Sequence, residues 1–185
     1  MSALRLVRGV LAAAAAAVCA AAPAQPKSDW EIKLEERDWQ ESDIRLPAYP
    51  KPEDLIEFEL LASGNFRFYV DGKSLIAGTD GTVRYTLVAR SGSGTENVSF
   101  NGMRCKNSAH KVYATGRADK TWSPARNSEW KDLQSTTVSR QHVMLMRDFF
   151  CPAGMQITSR EEGLDALQKG IHPYAVSNQP GLGKR

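Results

Sequence analysis

The chain has 185 residues, of which 42% are hydrophobic and 24% charged, with a formal net charge of +3. That length suits one domain of ordinary core plus tails. A charge so close to neutral gives no electrostatic footprint for nucleic acid as the general partner.

The first 24 residues read as a secretory signal peptide. Arg5 and Arg8 give a positive start, Gly9–Ala22 is small and apolar, and Ala22-Pro23-Ala24 fits a small-x-small cleavage site. The apolar run is too short and alanine-rich for a good membrane span, which needs about 20 strongly apolar residues; an uncleaved anchor is the alternative. Val18 before Cys19 argues against a lipoprotein. Cleavage after Ala24 removes two of the 24 basic residues and none of the 21 acidic ones, so the net charge falls to +1. Of three cysteines, Cys105 and Cys151 remain. An even count in an exported chain predicts a disulfide. Closing that 46-residue separation stabilises by about 4 kcal/mol in the chain-entropy description.

Residues 25–52 read as an acidic, proline-containing strap. From Asp29 to Asp43 there are seven acids against Lys33 and Arg37, and Pro26, Pro47, Pro50 and Pro52 favour extended backbone. Trp30, Ile32, Leu34 and Trp39 suit a strap packed on the domain; a partner-binding arm is the alternative. A single α+β domain is expected over 53–170. "LIEFEL", "NFRFYV", "TVRYTLVA", "ENVSFNGMRC" and "HKVYATG" alternate with period 2, placing Val83, Tyr85, Leu87 and Ala89 on one face and Val112 with Ala114 on another. Breaks at Asp71-Gly72, Asp80-Gly81 and Gly92/Gly94 predict antiparallel hairpins.

Two helices are expected next. In 138–150, His142, Met146, Phe149 and Phe150 fall near helical spacing, although so short an apolar run also allows a strand. Ser159 and Glu162 form a capping box, Leu164 and Leu167 share a face, and Gly170 ends the helix. Residues 171–185 lack periodicity and read as a flexible tail.

The segments Phe68–Val88, Gly102–Cys105, Trp122–Trp130 and Arg147–Pro152, in that order and spacing, resemble the cryptic neisserial protein-like family, exported proteins of Gram-negative bacteria. The resemblance implies a periplasmic or outer-envelope address and supplies no activity. A second, partial likeness is to the surface-adhesin protein E family, which implies an antiparallel sheet with a helix tied to it by the disulfide. This chain departs from that pattern by continuing into a further helix and tail.

Few residues offer chemistry. Cys105-x4-His110 and His142-x8-Cys151 could be drawn as a tetrahedral Cys2His2 set, but the spacings are not those of the usual zinc modules and export favours oxidation. The same oxidation would remove a Cys–His nucleophile. No G-x-S-x-G elbow is present. No metal, cofactor or catalytic residue is therefore assigned. Asn101–Arg160 carries ten basic residues against four acids, so this half either binds the acidic strap or offers a patch to an anionic glycan or lipid surface. In "TWSPARNSEW", Pro124 and Ser123 favour a turn and Trp122 and Trp130 are large enough to anchor it. Arg126 and Asn127 between them are the candidate binding residues. The sequence thus predicts a binding module for an envelope partner, with an envelope enzyme using His142, Arg126 and a carboxylate as the alternative.

Overall fold

In the computed structural model of the chain, residues 37–60, 64–133 and 140–176 are described. The segment read as a signal peptide, residues 25–36 of the expected strap and the last nine residues lie outside them. The chain divides into two compact units, Met1–Trp39 and Gln40–Arg185. Of the first, only Arg37–Trp39 are described, with Arg37 paired to the adjacent Asp38.

The second unit is built on an antiparallel meander: β1 (Leu55–Phe58), β2 (Phe66–Ala77), β3 (Thr82–Ser91), β4 (Glu96–Arg104), β5 (Ala109–Gly116) and β6 (Trp122–Pro124) lie side by side in chain order. A two-residue strand, β7 (Lys131–Asp132), pairs with the start of β5, opposite the end that β6 occupies. Such neighbour-to-neighbour pairing follows from turns at Asp80-Gly81 and around Gly94, whose positive φ values glycine tolerates without cost.

Asp71-Gly72 is not a hairpin break. It opens a bulge inside one continuous strand, where the register with β3 jumps between Asp71 and Ile76. The Asp71 carboxylate accepts from the Lys73 amide (3.1 Å), and the Ser74 hydroxyl donates to the Asp71 carbonyl while accepting the Thr86 amide (2.9 Å). A side-chain oxygen thus substitutes for a ladder acceptor, which period alone does not reveal. A second bulge separates Val112 from Ala114. Val112 pairs with Asn101 and Ala114 with Phe100, so the two side chains lie on opposite faces rather than one.

One face of the sheet carries the helices. The 138–150 ambiguity resolves as helix over the described part: α1 (Arg140–Met144) continues as a π-helical segment, Leu145–Phe150. Leu145, Phe149 and Phe150 are fully buried against Val70, Val83 and Tyr85. Each such side chain contributes roughly 1.5–3 kcal/mol by leaving water. The segment ends at Cys151, which is bonded to Cys105 at the end of β4. α2 (Arg160–Lys169) starts at Ser159, whose hydroxyl accepts the Glu162 amide, and stops at Gly170 in the left-handed conformation. It lies close to β2: a side chain at Gly163 would meet Leu75 and Ile157 at under 3 Å. Within the segment read as a tail, Pro173–Val176 form a short helix, α3, and buried His172 bonds Glu162 of α2 (3.0 Å).

The opposite face is covered by residues 41–51. Trp122 and Tyr49 pack with Tyr69, Val88 and Val98, and Ile44 packs with Phe100 and Tyr113.

Candidate functional site

Both ends of the Thr121–Trp130 segment are pinned to β5. Trp122 pairs with Gly116, and the Ala125 amide extends the ladder to the Tyr113 carbonyl (3.0 Å). Beyond Trp130 the chain re-enters the sheet as β7. Trp122 is half-buried; its indole N–H donates to the Pro47 carbonyl (2.9 Å), and its ring lies 5.4 Å from Tyr49 and 6.3 Å from Phe100. Trp130 is also half-buried, edge-on to Tyr113, with the Lys111 ammonium and the Arg104 guanidinium over its ring at 5.6 and 5.9 Å. Between these anchors Arg126, Asn127, Ser128 and Glu129 are all exposed. The four candidate residues therefore divide into two packed aromatics and two presented polar side chains.

The basic half is not a uniform patch. Lys111 is bound to Glu41 (2.7 Å), Arg147 to Asp148 (2.6 Å), and Arg160 donates to the Gly72 carbonyl (2.9 Å). Glu41 also accepts from the Tyr113 hydroxyl (2.6 Å), and burial together with that bond raises the phenol far above its ordinary value. Arg126, Lys131 and Arg140 remain exposed. Near the strap, Arg84 is clamped by Asp80. Burial alone would raise the Asp80 carboxyl, but hydrogen bonds from Arg84 and from the Ser42 and Thr82 amides hold it down at about 2.

The disulfide consumes both sulfurs of the Cys2His2 set and both candidate nucleophiles. Among the described residues no group of three or more His, Cys, Asp or Glu is placed to hold a metal ion. The two histidines nevertheless meet. The His110 and His142 rings stack with centroids 3.9 Å apart, between β5 and α1. His142 Nδ1 bonds the Tyr85 hydroxyl (2.8 Å) and His110 Nε2 bonds Asn101 (3.3 Å). Burial lowers His110 to about 4; burial and the neighbouring His110 hold His142 well below the usual range. Among the described residues no carboxylate bonds either ring, and His142 is buried whereas Arg126 is exposed.

Sequence reasoning missed the His110–His142 stack, the Glu41–Lys111–Tyr113 group and the Arg84–Asp80 clamp. The first two join residues 32 to 72 positions apart, for which no local spacing gives a signal. The third had one: Asp80 and Arg84 flank a turn at i, i+4.

No solved structure matches the chain. Cryptic neisserial protein 1 of Neisseria gonorrhoeae is 26% identical over 162 residues, covering 78% of each chain. The CNP1-like family matches residues 34–168, which span every strand of the sheet and nearly all of α2. This chain belongs to the CNP1-like family.

Proposed function

We propose that the chain is an exported envelope protein that works by binding rather than catalysis, and that it presents the Arg126–Glu129 segment to a protein or anionic glycan or lipid surface of the periplasm or outer envelope. The observation that carries this reading is the segment itself, which bridges β6 and β7 along one edge of β5. Four consecutive exposed polar residues are held at both ends by half-buried tryptophans and by backbone pairing to one strand. Pre-positioning of this kind lowers the ordering cost of binding, and the Arg126 guanidinium offers a planar set of donors suited to carboxylate or phosphate oxygens. The buried, neutral surroundings of His142 direct the proposal away from acid–base chemistry. The acidic lead-in is proposed to cover part of the basic half, with Glu41 on Lys111 as the supporting contact.

The test is crosslinking in the intact envelope followed by recovery of the chain, with two variants compared. Trp122→Ala is expected to cost about 2–3 kcal/mol in urea melts, below the roughly 3–5 kcal/mol of a fully buried indole. Arg126→Ala is expected to melt within about 0.5 kcal/mol of the parent and to lose most of the crosslinked partner. Normal melting with undiminished partner recovery by Arg126→Ala would remove this segment from the binding surface.

A further inference from the structure

A cavity of about 300 Å³ lies between Pro47–Lys51 and the bulge of β2. Pro47, Tyr49 and Pro50 give it apolar walls, and Asp71 and Ser74 line its inner end. None of these residues belongs to the Trp122–Trp130 segment. Asp71 is only 3% exposed, yet among the described residues its carboxylate has a single donor, the Lys73 amide on Oδ1. Its second oxygen has none. The Lys73 ammonium is 69% exposed and pairs with Asp54 at 3.1 Å. Thr86 stands directly opposite Asp71 in the β2–β3 register, hence on the same face, and its hydroxyl is buried with no hydrogen-bond partner. Asp71 thus lines the cavity with one carboxylate oxygen unengaged, and the Thr86 hydroxyl lies behind it on the same face of the sheet; Lys51, Asp54 and Lys73 complete the cavity's rim.

A buried carboxylate without a cation is costly unless something compensates it. We propose that this cavity binds a small primary amine, with the ammonium on Asp71 and the organic substituent against Pro47, Tyr49 and Pro50. A primary ammonium carries three N–H donors, enough to reach the free Asp71 oxygen and a neighbouring hydroxyl at once. A quaternary ammonium has no donor for either. Calcium would require six to eight oxygens in general, whereas one of the two carboxylates here is already engaged by Lys73.

The experiment titrates the purified exported chain with n-butylammonium chloride and, at matched ionic strength, with tetramethylammonium chloride and calcium chloride. The readouts are the Lys73 amide resonance and the melting temperature. The expected result is a saturable shift of the Lys73 amide and a raised Tm with butylammonium alone. Asp71→Asn keeps the Oδ1 acceptor that closes the bulge and removes the charge. It should weaken butylammonium by about tenfold or more, the loss expected for a charge-assisted hydrogen bond. A response to tetramethylammonium or calcium equal to that with butylammonium, no saturable response to butylammonium, or binding by Asp71→Asn within about twofold of the parent would each overturn the proposal. If Asp71→Asn does not fold, the contrast between butylammonium and tetramethylammonium on the parent chain decides alone.

Discussion

The two faces of the sheet are covered by different kinds of chain, and they differ accordingly. Helices lie over one face, and a helix satisfies its own backbone groups. The strand residues beneath are then largely apolar, with Val70, Val83, Leu87 and Met103 meeting Leu145, Phe149 and Phe150, apart from Asn101 and His110, which bond each other beside His142. An extended, proline-containing segment lies over the other face and brings unpaired carbonyls and acidic side chains with it. Under it the same strands present Thr82, Arg84, Thr86 and Tyr113, and donors rise to meet the cover: Trp122 to the Pro47 carbonyl, Tyr113 and Lys111 to Glu41. The kind of cover thus sets the chemistry of the face. The helix-covered side is where stability is concentrated, and the segment-covered side is where a ligand could compete with the chain's own contacts.

That contrast can be broken most severely on the helix side. Cys105→Ser together with Cys151→Ser is expected to cost about 4 kcal/mol, read in urea melts, because it unties the end of β4 from the π-helical segment. A loss below 1 kcal/mol would mean that apolar packing alone holds the helices. The next effect is a pH dependence from the stacked histidines. Their folded values lie below the ordinary 6.5, so unfolding takes up protons, and their contribution is complete above about pH 6.5 and is lost as pH falls toward about 4. For His110 alone this amounts to about 3 kcal/mol. His110→Gln, which can still bond Asn101, should flatten melting temperature against pH over that window, whereas an unaltered slope would place the acid sensitivity elsewhere. The smallest effect probes the extended cover. A methyl at Gly116 would meet the Tyr49 hydroxyl at 2.7 Å and Val98 at 2.8 Å. Gly116→Ala should cost about 1–3 kcal/mol and raise Trp122 fluorescence quenching by acrylamide as Tyr49 lifts; unchanged quenching would show that Val98 yields instead.

What was legible in the sequence follows the same division. β3, buried on both faces, still declared its helix side through Val83, Tyr85 and Leu87, and the Ser159–Glu162 cap and Gly170 stop marked α2 to the residue. The two bulges were not legible. Asp71-Gly72 carries the composition of a turn, and only the tertiary pairing of Ser74 with Thr86 makes it an interruption within one strand. For the candidate segment, the size of the tryptophans foretold their packing, but Ser123 and Pro124, read as turn-forming, are paired strand residues of β6, and the chain keeps its direction along β5 into β7. The groups around Asp71, Glu41 and His142 were invisible because each depends on which residues the meander and its covers bring together across dozens of positions.

The position of α2 has a consequence in time. It is made last among the longer elements, yet it rests on the first ones: Arg160 reaches back 88 residues to the Gly72 carbonyl, and Leu75 lies under Gly163. Synthesis at about 5–20 residues per second leaves an interval of roughly 4–18 s in which β1 and β2 exist and their cover does not. During that interval Phe58, Phe68 and Val70 form a naked apolar surface on a growing chain. A chain with this order of elements needs its early strands shielded from one another until its last helices have been made.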